Sequence, residues 1–186
     1  MMSAAEARVL AQRYLDPVLP GRWRHVQGAG ARGQEVAARL GLPDELLASA
    51  AWLHDIGYAP DLAETGFHPL DGARFLRRIG ADDRLARLVA HHSCAVYEAR
   101  VRGWERELAG EFEAERSVTA DALVFCDLTT APDGRLVAFG DRLDEIEQRY
   151  GPDHEVTRAL RLARPDLTSC CQRTLARLAD QPVSPM

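Results

Sequence analysis

Apolar residues recur at three- and four-residue intervals along most of the chain, and no stretch of useful length alternates apolar with polar, so the pattern predicts helices and no strands. Ser3 with Glu6 forms a capping-box pattern, and Val9, Leu10 and Leu15 extend it into a helix over 4–16, ended by Pro17, Pro20 and Gly21. Trp23, Val26, Ala29, Val36, Ala37 and Leu40 predict a second helix over 22–40 with Gly41 as its stop. Pro43 suits the first turn of a third, whose Leu46, Leu47, Ala50, Ala51, Leu53 and His54 run up to Gly57. Pro69 opens a helix through Ile79, and Asp82 caps the next, which carries Leu85, Leu88 and Val89 and holds both His91 and His92. Residues 103–117 are highly charged and read as a short helix or a surface excursion. "TADALVFCDLTT" reads as a buried helix ending near Thr130, before a turn at Pro132, Asp133 and Gly134. Helices over 141–150, 154–163 and 166–179 complete an all-α chain, expected to be one domain over 1–180 with a loose tail at 181–186.

Composition narrows the function classes. With 186 residues, 46% apolar and 27% charged, the chain suits one soluble globular core, and no apolar run approaches the length of a bilayer span. The amphipathic, acid-containing start lacks the features of a secretory signal, so a cytoplasmic protein is expected. A net charge of −5 argues against a partner that is a nucleic acid polymer, but leaves a small phosphate open. All 23 basic residues are arginine, which reads as coding bias in a GC-rich genome. Cys94, Cys126, Cys170 and Cys171 show neither zinc-knuckle nor disulfide-framework spacing.

The histidines change the picture. Five of the six, His25, His54, His68, His91 and His92, lie within residues 25–92. Any one of them alone has a bland explanation as a core, loop or helix-end residue. Together with carboxylates they form the donor set that suits first-row divalent metals, projected inward from facing helices. His54 and Asp55 would point about 100° apart on an ideal helix. Both reach one ion only where the helix ends, and Gly57 supplies that ending.

This ordered set resembles the HD-domain superfamily of metal-dependent phosphohydrolases. The likeness rests on His25 in "RWRHVQGAGARGQEVA", the doublet His54-Asp55 in "AAWLHDIGY" and Asp127 in "ADALVFCDLTT". His68 in "FHPLDGARFL" and His91 in "LVAHHSCAV" match the further histidines of members that hold two metals, with His92 as a possible extra ligand. The resemblance covers roughly residues 22–130. It implies a helical bundle with a metal site in its core. His25, His54, Asp55 and Asp127 would hold one divalent ion, and His68 and His91 a second that shares Asp55, with iron or manganese the best-suited metals. It further implies a water acidified by the ions to a pKa of roughly 7 that attacks phosphorus in line. In that scheme Asp55 is the catalytic bridge, His92 is a ligand or a proton donor to the leaving oxygen, and Arg22, Arg24 and Arg74 contact phosphate oxygens. The substrate would be a small phosphate ester, with a nucleotide the expected class.

Two branches of the superfamily bear on specificity. The Gly-Tyr-Pro element of the branch that cleaves cyclic dinucleotides is absent from "HHSCAVYEARVRG", which counts against such a substrate. The branch of symmetric dinucleoside-polyphosphate hydrolases is closer in size. An alternative enzyme class, the di-iron oxygenases of the same fold, shares the ligand order, but Cys94, Ala95 and Val96 stand where its substrate-binding lysine pattern is expected. A non-catalytic metal-binding regulatory domain is the second alternative, disfavoured because no ligand position is degraded. Residues 140–186 have no catalytic counterpart and read as packing helices.

Overall fold

The structure, a computed structural model, describes residues 2–42 and 45–180. Its helices are α1 (Ala4–Leu15), α2 (Pro20–Arg39), α3 (Leu46–Leu53), α4 (His68–Arg78), α5 (Asp83–His91), α6 (Val96–Arg102), α7 (Glu105–Glu111), α8 (Val118–Leu128), α9 (Phe139–Tyr150) and α10 (Glu155–Ala179). Short 3-10 turns occupy Ile56–Tyr58, Pro60–Leu62 and His92–Cys94. Among the described residues there is no strand, only an isolated bridge between Thr130 and Leu136, so the class is all-α. No helix among them is long and apolar enough to cross a membrane. The expected place of Pro43 and the tail at 181–186 lie outside the described residues.

α1 starts as its sequence dictates: the Ser3 hydroxyl accepts from the Glu6 N–H, and the Glu6 carboxylate accepts from the Ser3 N–H at 2.8 Å. Pro20 opens α2 instead of closing α1, since a first-turn position needs no N–H. α3 is buried on every side, from Leu46 to Leu53, and is enclosed by α1, α2, α5 and α8. Its contact with α2 is close because Gly30 has no side chain; a Cβ there would lie 2.3 Å from the Trp52 ring.

α3 ends one residue before the His54-Asp55 doublet, and the reason differs from the expected glycine stop. His54 keeps helical angles, Asp55 (φ −100°, ψ 7°) leaves them, and the chain tightens into the turn at Ile56–Tyr58. Gly57 is needed for space: a Cβ would stand 2.1 Å from the His68 carbonyl oxygen and 2.6 Å from the Gly72 nitrogen. The glycine therefore presses the turn after the doublet against the first turn of α4.

α5 stops at His91, where the expected helix would have continued through His92. His92 is extended (φ −56°, ψ 151°), and Ser93 and Cys94 both take left-handed angles (φ 48° and 56°) that non-glycine side chains seldom adopt. α6 follows, a helix outside the set expected from the sequence. The charged segment contains α7, and its acids and those just after it pair with arginines of α4 and α5, including Arg74 with Glu111 and Arg84 with Glu115.

The two helices expected on either side of Pro165 are one. Leu160, Ala163, Leu167, Cys171, Thr174 and Leu178 form a continuous buried stripe through it. The Arg161 carbonyl that loses its partner to proline belongs to an exposed residue, where water can satisfy it. α10 packs on α6, α8 and α9.

Candidate metal centre

Six of the seven sequence-predicted ligands converge below a cleft, in two groups: His25, His54 and Asp127, and Asp55, His68 and His92. α2 delivers His25, the end of α3 delivers His54 and Asp55, the start of α4 delivers His68, the chain after α5 delivers His92, and α8 delivers Asp127. All but Asp127, whose side chain is 13% exposed, are buried.

The imidazoles are oriented through their outer nitrogens. His25 Nδ1 donates to the Ala131 carbonyl at 3.2 Å, His54 Nδ1 to Ala51 at 2.9 Å and His92 Nδ1 to Val89 at 2.6 Å. A carbonyl can only accept, so these bonds place the proton on Nδ1 and turn the Nε2 lone pair inward. Nε2 of His25 then faces Nε2 of His54 at 3.3 Å and Asp127 Oδ1 at 3.0 Å. Nε2 of His68 faces Nε2 of His92 at 3.2 Å. Lone pairs that face each other repel unless a cation or a proton lies between them. Metal bonds of about 2.1 Å would separate neighbouring donor atoms by roughly 3.0–3.4 Å, which these spacings match. The donor set therefore fits a divalent metal.

Asp55 joins the groups. Its Oδ2 lies 3.3 Å from His54 Nε2 and 3.8 Å from His25 Nε2, while Oδ1 lies 3.3 Å from His68 Nε2 and 3.8 Å from His92 Nε2. Burial favours the neutral form of Asp55, but Arg22 and His54 overcome it and hold the carboxyl well below the ordinary range. Burial likewise opposes ionisation of Asp127, and His25 and His54 hold it low. His54 is opposed by burial yet raised to about 9 by the two carboxylates, whereas burial, with His68 and His54 nearby, pushes His92 down to about 4.

His91 corrects the expected ligand set. It is half-buried and its Nε2 donates to the Phe112 carbonyl at 2.8 Å, outside both groups. Neighbouring residues on a helix diverge, and because the helix ends at His91 the extended backbone of His92 carries the second imidazole to the centre in its place. The Ser93 hydroxyl, next in the chain, donates to Asp127 Oδ2.

Of the three arginines expected to meet phosphate, only Arg22 is at the cleft, donating to Asp55 Oδ2 at 2.7 Å and lying 4.1 Å over the Tyr58 ring, which in turn stacks on His68 at 3.8 Å. Arg24 is exposed and does not line the cleft. Arg74 is bound bidentately to Glu111 through its Nη2 and Nε, the latter donating at 2.8 Å. α9 and α10, expected from the sequence to be packing helices, form the far wall of the cleft through residues such as Arg142, Arg149, Tyr150 and Leu160. The cavity measures about 110 Å³.

An all-helical bundle that buries two adjoining His/Asp groups under a cleft has the donors to hold a divalent metal. The chain belongs to the HD domain family: the family's model matches residues 22–128, more than half its length and all six convergent residues. This family is one of metal-dependent hydrolases. No curated protein and no solved structure matches the chain.

Proposed function

We propose that the protein is a metal-dependent phosphohydrolase that cleaves a small phosphate ester, using two divalent ions. The observation that carries this reading is the Asp55 carboxylate, which turns one oxygen toward each group of imidazoles. Bound ions would supply Lewis acidity at a phosphoryl oxygen and acidify water, and iron or manganese suits a histidine-rich set around a shared carboxylate. His25, His54 and Asp127 would hold one ion and His68 and His92 the other, with Asp55 common to both. Nδ1 of His92 is held by Val89, which favours a ligand over a proton donor. Arg22, at the cleft beside Asp55, presents its guanidinium to an entering phosphate oxygen. The small cavity suits a compact ester over a polymer.

The test is metal analysis of protein purified with and without air, followed by a panel of phosphomonoesters and phosphodiesters, with dioxygen consumption recorded in parallel. Hydrolysis that disappears in Asp55→Ala supports the proposal. Dioxygen consumption with an organic substrate and no ester hydrolysis would keep the centre and replace its chemistry with that of an oxygenase. Metal binding with neither activity would leave a regulatory metal-binding domain.

A further inference from the structure

The far wall of the cleft contains a cation that packing does not explain. Arg142, on α9, is the one arginine among the described residues that is buried, at 4% exposure. Burying a guanidinium is unfavourable unless its N–H groups all find acceptors. Glu145, one turn further on, accepts from Arg142 Nη1, but the same carboxylate also lies 3.2 Å from Arg149 Nε. Two cations thus share one acid, and the buried Nε of Arg142 has no hydrogen-bond partner. Glu98, an acid that lines the same cavity from α6, is taken by Arg102 at 3.0 Å. Both arginines line the same cavity as Asp55, His68 and His92, with Ile146 and Leu160 among the apolar residues of that cavity.

We propose that Arg142 and Arg149 form a subsite for a second acidic group on the substrate, a carboxylate or another phosphate, joined to the metal-side phosphate by a short apolar linker. The proposal rests on the phosphate-ester reading of the centre. It follows from a buried guanidinium whose Nε is unmatched, beside a second arginine that shares its one acid, on a wall of the same cavity as the ligands, and from a cavity too small for a long linker. It places substrate selection in α9, outside the segment that the family match covers.

Non-hydrolysable phosphonates separate this subsite from turnover. Calorimetric titration of manganese-loaded protein would compare propylphosphonate, which has one acid, with 3-phosphonopropionate and propane-1,3-diphosphonate, which have two. One or both diacids should bind at least about 10-fold tighter than propylphosphonate, as charge-assisted bonds to a desolvated guanidinium require. The stronger of the two identifies the second group. Arg142→Gln and Arg149→Gln should each bring the ratio toward one, with Arg142→Lys intermediate. Arg149 is 38% exposed, so Arg149→Gln decides the matter if Arg142→Gln does not fold. Equal affinity for all three probes, no binding of either diacid, or a ratio that survives both glutamine variants would overturn the proposal. Selective diacid binding without hydrolysis of any ester would leave the subsite standing and remove the hydrolase reading; ester hydrolysis without diacid preference would do the reverse.

Discussion

Gly57→Ala is a small change with a calculable effect. The added Cβ would lie 2.1 Å from the His68 carbonyl oxygen and 2.9 Å from its carbon, both main-chain atoms that cannot swing aside. That is about 1.3 Å inside ordinary van der Waals contact, so the turn at Ile56–Tyr58 and the first turn of α4 must separate by about an ångström. Overpacking of this kind costs about 1–3 kcal/mol, which for a chain of this size lowers Tm by about 2–12 °C. The displaced residue is His68, whose Nε2 now lies 3.3 Å from Asp55 Oδ1 and 3.2 Å from His92 Nε2. Metal bonds tolerate shifts of only about 0.2 Å, so on the proposed two-ion reading the group of Asp55, His68 and His92 should lose its ion while His25, His54 and Asp127 keep theirs. Elemental analysis should show metal content falling from about two ions per chain toward one, and calorimetry the drop in Tm. Gly110→Ala, at a position on α7 with nothing within 4 Å, serves as the control and should be neutral or slightly stabilising. A Gly57→Ala protein with unchanged Tm and metal content would refute both the steric argument and the coupling of this turn to the centre.

Other substitutions test separate parts of the description. On the proposed reading His92→Ala should lose an ion and the hydrolysis assigned to it, whereas His91→Ala should retain the full metal content; elemental analysis of the pair reverses the prediction if His91 is the ligand. Ser93→Ala removes the hydroxyl that donates to Asp127 Oδ2, and metal affinity at that group should fall by about 10-fold, read by competition with a chelator. Arg74→Ala should leave metal content unaltered and cost at most about 1 kcal/mol at neutral pH, because the pair with Glu111 is partly exposed. The hydrogen bond from Arg74 lowers the Glu111 carboxyl below its ordinary 4.5, so the pair's contribution is present above that pH and is lost as pH falls below it. Melting curves of the two proteins should therefore converge in acid, and a gap that persists at low pH would contradict the assignment.

The helices and most of the convergent histidines and aspartates were legible because the sequence marks both. Apolar spacing locates the buried faces, and Ser3, Asp82 and the His-Asp doublet stand at helix ends where local chemistry is strongest. Which member of the His91-His92 pair faces inward was not legible. That choice depends on the backbone angles of His92, Ser93 and Cys94, and no glycine or proline announces the left-handed turn. Proline misled at Pro165, where a continuous apolar stripe outweighs one missing hydrogen bond. Arg74 lies near a ligand in sequence, but its partner is 37 residues away on α7, a pairing that only the tertiary fold creates. Arg142 escaped notice because its helix reads as amphipathic packing; its burial and its unmatched Nε exist only in three dimensions.

The two ligand groups also differ in how much chain must fold to assemble them. His68 and His92 are 24 residues apart, whereas His25 and Asp127 are separated by 102. Closing the longer loop carries an entropic penalty larger by about 1.3 kcal/mol, before any stabilising contact forms. During synthesis Asp55, His68 and His92 leave the ribosome well before α8, so their half of the centre can take shape while the other still waits for Asp127. The topology thus sets a birth order for the two halves, and the arrival of α8 marks the moment at which the centre becomes whole.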